Sequence, residues 1–319
     1  MKKVIAMICV ILMLLGMTAC SSTPADDGKY TIGICQLATH DALDAATKGF
    51  QDAVIEALGE ENVVFDLQNA AGDSNTCSLI ANSFVAAGVD LIMANATPAL
   101  QNAQAATADI PILGTSVTEY GVALDLKDFV DTVGGNVSGT SDLAPLDQQA
   151  AMIKEWFPDA QCVGLLYCSA EPNSKYQVDT MIRFLTEMGY DCQQFPFADP
   201  NDMSAVTNAA CEYSDVIYVP TDNAVASGKD IIDGICRPAG VPIIAGEEGA
   251  CAGCGVATLS ISYYDLGYTT GKMAVKILTG EADISTMPIA YAENFTPKYN
   301  PQICEALGLT PPEGYVPIG

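Results

Sequence analysis

The sequence has a single histidine, His40, a single tryptophan, Trp156, and 13 lysines and arginines against 39 aspartates and glutamates. Each shortage excludes a class of function. One imidazole cannot build an HExxH site, a Cys2His2 finger or a His-rich metal centre. A Ser/His/Asp triad would have to use His40, and no GxSxG elbow is present to carry its nucleophile. Nucleotide loops are missing too. There is no GxGxxG, and Gly271-Lys272 is followed by Met273 with Gly267 one residue too close for a phosphate-binding loop. A formal charge of −26 has the wrong sign for nucleic acid, where Lys and Arg must neutralise phosphates, and equally for anionic lipid.

What remains is a chain with the means to fold. Its 319 residues, at roughly 150 per domain, suggest two domains, and 50% hydrophobic with 16% charged residues allows a sizeable core. The start reads as an address. Met1-Lys2-Lys3 precedes an apolar run over 4–17, too short to span a bilayer, and Thr18-Ala19-Cys20-Ser21-Ser22 follows. Small residues before a Cys resemble the bacterial lipobox, so residues 1–19 are expected to be a lipoprotein signal peptide and Cys20 the lipidation site, with Met17 in place of the usual Leu. An ordinary signal peptide cleaved nearby is the alternative. Two acyl chains would anchor the protein stably where one would not. Residues 20–29, polar and rich in turn formers, read as a flexible tether. No second apolar stretch of spanning length follows.

The cysteines do not read as a disulfide scaffold. Cys9 lies in the leader and Cys20 at the lipidation site; several others, such as Cys35 and Cys162, sit inside apolar strand-like runs as small hydrophobes. Cys251-Ala-Gly-Cys254 is the one CxxC, read as a loop with two thiols or a local disulfide rather than a redox site, and a zinc site would need a second ligand pair.

From Tyr30 onward, short apolar runs alternate with amphipathic segments. The pattern predicts strands over 30–37, 62–67, 90–94 and 110–114, with helices over 41–58, 74–87 and 98–106; Asp41 is a candidate N-cap for the first of these. A second round has strands near 162–167, 192–197, 215–219 and 241–246 and helices over 173–188, 202–211 and 223–236. Asp90-Leu-Ile-Met, Thr97-Pro98 and Ile110-Pro111-Ile112 correspond to Asp215-Val-Ile-Tyr, Thr221-Asp222 and Val241-Pro242-Ile243. The reading is α/β: two doubly wound parallel-sheet lobes of like topology. Ligands of such sheets bind beyond the carboxyl ends of the strands, and here those ends carry Gln36, His40, Thr97, Thr115, Ser116, Thr118, Tyr167, Thr221, Asp222, Asn223, Glu247 and Glu248.

Several stretches, in order and spacing, carry a resemblance: Ile32-Gly-Ile-Cys-Gln-Leu37, His40-Asp-Ala-Leu-Asp44, Ala96-Thr-Pro-Ala99, Ser116-Val-Thr118, Ser141-Asp142, Glu171-Pro-Asn-Ser174, Tyr218-Val-Pro-Thr-Asp-Asn223, Gly246-Glu-Glu248 and Tyr263-Tyr264-Asp265. The mature chain resembles the ABC-transporter solute-binding lipoproteins typified by the bacterial tryptophan-binding protein, with a type I periplasmic-binding fold. His40-Asp41 departs from the usual His-Pro of that family. The resemblance implies three crossings between lobes, with residues 30–142 plus 262–286 forming lobe 1 and 143–261 plus 287–319 forming lobe 2. It also implies a monomer outside the cytoplasm that captures a small solute, often an amino acid, and passes it to a membrane ABC permease without a cofactor.

An amino acid presents a carboxylate, an ammonium and a side chain. Helix N-terminal N–H groups and hydroxyls receive carboxylates, which points to Thr97, Ser116, Thr118 and Ser141, each of which has capping or turn chemistry as its alternative. Asp222 and Glu248 are candidates for the ammonium; Asp222 could instead, or in addition, cap the helix that starts at Asn223. Tyr167, Tyr263 and Tyr264 could stack on a ring and Leu37 and Leu43 form an apolar wall, or all could simply pack. His40 stands at a cleft mouth or caps a loop. Gln36, Asn173, Thr221 and Asn223 complete the expected ligand-binding set. A sugar binder of this fold would want stacked Trp, and Trp156 is placed at a helix end; a nucleobase is a further possibility. A surface hydrolase would need Glu247 and Glu248 as a pair, yet adjacent carboxylates on an extended chain point apart. A ligand sensor for a membrane kinase would share the same pocket.

Overall fold

A computed structural model describes residues 28–292 and 294–318, so the leader, Cys20 and most of the expected tether lie outside the described residues. In the first half the strands are β1 (Tyr30–Gln36), β2 (Val63–Asn69), β3 (Leu91–Asn95), β4 (Ile112–Val117) and β5 (Val137–Ser141). Between them run α1 (Asp41–Leu58), α2 (Ser74–Ala87), α3 (Thr97–Ala106) and the short α4 (Tyr120–Ala123). The second half repeats the alternation with α5 (Leu146–Trp156), β6 (Cys162–Cys168), α6 (Pro172–Glu187), β7 (Asp191–Phe197), α7 (Met203–Tyr213) and β8 (Val216–Val219). It continues through α8 (Asn223–Ser227), α9 (Lys229–Ala239), β9 (Ile243–Ala245), α10 (Glu248–Cys254) and β10 (Ala257–Ser260). The chain ends with α11 (Tyr263–Leu278), β11 (Ala290–Tyr291), β12 (Thr296–Tyr299), α12 (Pro301–Leu307) and β13 (Val316–Pro317).

One sheet runs β2-β1-β3-β4-β5-β11 and the other β7-β6-β8-β9-β10-β12-β13, so each half has the same 2-1-3-4-5 order. The ladders are parallel apart from β10 with β12, as the βα alternation requires. The chain passes between sheets after β5, after β10 and again after β11. Ala290 and Tyr291 pair with Thr140 and Ser141, which puts the last passage beyond the boundary expected at 286.

Local chemistry accounts for the elements. In α1 the spacing of Leu43, Ala46, Phe50 and Val54 buries one face, and the helix stops at Gly59, whose φ is +86°. The expected N-cap shifts by one: His40 holds that position without a side-chain bond, and Asp41 stands in the first turn, where its charge suits the helix dipole. The single helix expected over 223–236 is two, α8 and α9, broken at Gly228.

Helix α11 returns from the second half to pack along α1. Two glycines allow backbone to touch backbone: a Cβ on Gly267 would stand 1.9 Å from the Ala46 carbonyl oxygen, and one on Gly49 would stand 2.1 Å from that of Tyr264. At its exposed margin the Tyr264 hydroxyl donates to Asp52 at 2.9 Å. Trp156 ends α5 edge-on to Tyr315, with ring centres 5.3 Å apart, and has no part in the cleft. Among the described residues no helix is long and apolar enough to cross a membrane.

Candidate functional site

In a 2-1-3-4-5 sheet the crevice lies beyond the carboxyl ends where the strand order reverses, here between β1 and β3 and between β6 and β8. The two crevices face each other. Lobe 1 contributes His40, Ala42 and Leu43 after β1 and Ser116 and Thr118 at the end of β4. Lobe 2 contributes Asn173 after β6, Thr221, Asp222, Asn223 and Ala226 after β8, and Glu247 after β9; Asp142 and Tyr263 come from the crossing segments. The cavity these residues enclose is about 10 Å³, room for about one water, so any larger guest requires the lobes to part. The His40 Nε2 lies 3.2 Å from the Asn223 Oδ1, and the Lys229 ammonium donates to Asp41 at 2.6 Å, two contacts made from lobe to lobe.

Buried polar atoms normally find partners. Of the nine described side-chain atoms that do not, four belong to residues that line this cavity: His40 Nδ1, Ser116 Oγ, Asp142 Oδ1 and Asn173 Oδ1. Ser116 is held with φ +53°, a conformation that L side chains rarely adopt. Asp142 is 3% exposed; its Oδ2 accepts from the Tyr263 hydroxyl at 3.0 Å, and the Thr118 side chain also hydrogen-bonds the carboxyl. Burial pushes its carboxyl up to about 6. Burial likewise lowers the His40 imidazole, leaving it neutral near pH 7.

The other acids are engaged. Asp222 Oδ1 accepts from the Val225 amide at 2.9 Å and Oδ2 from the Cys168 amide at 2.7 Å. It therefore serves the capping role that was one of its two readings, and it also lines the cavity. Glu171 accepts from the Asn223 amide, the Asn223 side chain and the Ala224 amide, closing the start of α8. Its carboxyl is pushed up to about 8 by burial, with Asp222 adding repulsion. Glu247 caps α10 through the Gly249 and Ala250 amides and is raised to about 7, again by burial. Three buried carboxyls thus bind backbone amides at helix starts, whereas Asp142 is held by the side chains of Tyr263 and Thr118.

Eight of the expected residues meet at the cavity: His40, Ser116, Thr118, Asn173, Thr221, Asp222, Asn223 and Tyr263. Six do not. Gln36 donates to the Ala38 carbonyl and Asp44 and accepts from Thr47, bracing β1 against α1. Leu37 is core, and Thr97 is buried in the first turn of α3. The Ser141 hydroxyl donates to the Thr118 carbonyl, and Tyr167 donates to Gln194 on the neighbouring strand. Glu248 pairs with Lys298 at 2.6 Å and faces a depression of about 790 Å³ beside the crossing segments, in which none of the unpartnered atoms lies. Asp142 and Glu171 stand in the sequence only as neighbours of the candidates Ser141 and Asn173. Their signal is position, directly after β5 and β6, but nothing in the residue string tells which carboxylate the backbone will occupy. Cys251 and Cys254, the sequence's CxxC, are both free buried thiols in α10.

Among the described residues no group of three or more His, Cys, Asp or Glu is arranged to hold a metal. What the site can do is offer hydrogen-bonding side chains from both lobes to a small molecule admitted when the lobes part.

Comparisons with known proteins bear on the chain as a whole. The sequence pattern of the family described as ABC transporter substrate binding protein matches residues 31–316. A tyrosine-binding protein of Clostridioides difficile (strain R20291) is 34% identical, over 97% of this chain and 93% of that protein. The structure of an ABC domain in complex with L-Trp from Streptococcus pneumoniae superposes with a TM-score of 0.86 at 32% identity, covering 90% of this chain and 99% of that one. The ligand-free, open structure of a substrate-binding protein with adhesive properties from Clostridium difficile gives a TM-score of 0.70 at 38% identity, covering 91% and 99%.

Proposed function

The chain belongs to the family of ABC transporter substrate-binding proteins, and on that premise we propose that its inter-lobe site captures one free α-amino acid with an aromatic side chain. The carrying observation is that four unpartnered buried polar atoms, from both lobes and the crossing segments, belong to residues lining one closed cavity. Asp142 Oδ1 receives the ammonium, Ser116 Oγ and Thr118 meet the carboxylate, and Leu43, Ala42, Ala226 and Tyr263 contact the side chain, with His40 and Asn173 reading its polar edge. Each unpartnered atom is costly when buried alone, about 1–3 kcal/mol, so a ligand that satisfies them favours the closed form. The higher TM-score against the L-Trp complex than against the ligand-free open protein, in spite of lower identity, supports a lobe arrangement of the ligand-holding kind.

The family works outside the cytoplasm, as a binding and delivery protein rather than an enzyme. In our reading Cys20 carries the lipid anchor, residues 20–29 form the tether, and a monomer presents its ligand to a membrane ABC permease. The test is a thermal-shift screen of the 20 amino acids, nucleobases and simple sugars on the unlipidated mature protein. An aromatic amino acid at 100 times its Kd should add about 2.7 kcal/mol of stability. A shift by sugars or nucleobases alone would overturn the amino-acid reading.

A further inference from the structure

Two thirds of the way along the chain the fold brings together two thiols that sequence spacing does not pair. Cys211 lies in the last turn of α7 and Cys236 in α9, and their Sγ atoms stand 3.4 Å apart. We propose that Cys211 and Cys236 form an oxidisable dithiol that closes to a disulfide outside the cytoplasm by exchange with a low-molecular-weight disulfide. A disulfide bond is about 2.05 Å long, so closure needs roughly 1.4 Å of approach, within the reach of small χ adjustments on two helices already packed together.

The two thiols differ in access. Cys236 is 2% exposed, whereas Cys211 is half-buried and open to a small reagent. Burial raises both thiols, and the hydrogen bond from Cys236 partly offsets that rise at Cys211, which makes Cys211 the first to ionise. The Cys211 thiolate attacks one sulfur of the reagent, forming a mixed disulfide and expelling the first thiolate. The Cys236 thiolate then attacks the Cys211 sulfur, forming the internal bond and expelling the second. Two protein thiols are oxidised, one disulfide is reduced to two thiols, and two protons leave with them.

The closed ring of chain from 211 to 236 contains Thr221, Asp222, Asn223 and Ala226, four of the six lobe 2 residues that line the cavity, and Lys229, which reaches Asp41 across the cleft. Oxidation would therefore staple the ligand-facing wall to its supporting helix. CxxC residues Cys251 and Cys254 offer no such arrangement, since the Cys254 thiol donates to the Ala250 carbonyl within its own helix.

The inference rests on the family's location outside the cytoplasm and not on the amino-acid reading, so an unsuccessful ligand screen leaves it standing. The unlipidated mature protein is equilibrated with reduced and oxidised glutathione at several ratios, alkylated after unfolding, and mapped by mass spectrometry without reduction. The expected result is loss of alkylation at Cys211 and Cys236 together, with the other eight described thiols alkylated. A rise of about 5 °C or more in melting temperature over the reduced protein should accompany it. In Cys236→Ser the reaction should stop at a mixed disulfide of glutathione on Cys211. Full alkylation of both cysteines at every ratio, a bond mapped to another pair, or glutathione retained on Cys211 in the unmodified sequence would each overturn the proposal.

Discussion

Replacing Asp142 by Asn separates binding from stability in opposite directions, and both magnitudes follow from its surroundings. The carboxyl is fully enclosed and raised from 3.8 to about 6 by burial, a shift that corresponds to about 3 kcal/mol between its protonated and ionised forms. Because the folded value lies above the unfolded one, the stability this group contributes is fully present below pH 4 and is lost as pH rises through 6. An Asn has nothing to ionise and can still accept from the Tyr263 hydroxyl. The ligand-free variant should therefore melt near the parent at pH 4 and above it at pH 8, by up to about 3 kcal/mol. Binding goes the other way. Removing the carboxylate from a buried pair with an ammonium costs about 2–5 kcal/mol, or roughly 30- to 4,000-fold in Kd. Isothermal titration with L-Tyr and L-Trp at pH 7.5, together with thermal melts at pH 4 and 8, reads both effects. A Kd within threefold of the parent would refute the ammonium role, and a melt at pH 8 no higher than the parent's would refute the burial argument.

Asp222→Asn, by contrast, sets an amide N–H against the Cys168 or Val225 amide; melts should show about 1–2 kcal/mol lost, and calorimetry a smaller affinity change than in Asp142→Asn. In the ligand-free protein Glu247 and Glu171 reach about 7 and 8, above their unfolded values, so the melting temperature should fall as pH rises from 5 to 8. A rising profile would contradict that burial. Gly267→Ala drives a methyl into the Ala46 carbonyl and should cost about 1–3 kcal/mol in chemical denaturation, whereas Gly234→Ala, with open space around it, should be neutral or mildly stabilising. Lys229→Ala removes an ion pair whose Asp41 partner is largely exposed; stopped-flow measurements should find faster ligand release and a rise in Kd of no more than about fivefold.

The repeated strand-and-helix pattern was legible because β-branched runs and 3.6-residue spacing survive in a bare string; Ser74–Ala87 matches its expected bounds. The break at Gly228 was not, since it depends on Met203 packing where a Cβ would stand. At the site, the segments after strands were readable and the assignments within them were not. Asp222 and Asp142 are alike as residues. One meets two backbone amides and the other the side chains of Tyr263 and Thr118, a difference made by turn geometry alone. Tyr167 and Gln36 sit at strand ends as binding residues do, yet the pleat and the next helix turn them toward Gln194 and Thr47. The same blindness hid the Cys211 and Cys236 contact, which two helices create, while advertising a CxxC whose thiols stay apart in purpose.

The seating of α11 on α1 also has a consequence for biosynthesis. Tyr264 and Asp52, which bond across that seam, are 212 residues apart in sequence. A chain emerging from its amino end makes β1 through β5 early, and Leu43, Phe50 and Val54 of α1 can pack on those strands, but the small-residue seam at Ala46 and Gly49 stays open until nearly all of lobe 2 has been made. Lobe 1 therefore completes its packing last, and the docking of α11 carries the loop-closure cost of the whole second half. The fold locks only when the last passage of chain is in place.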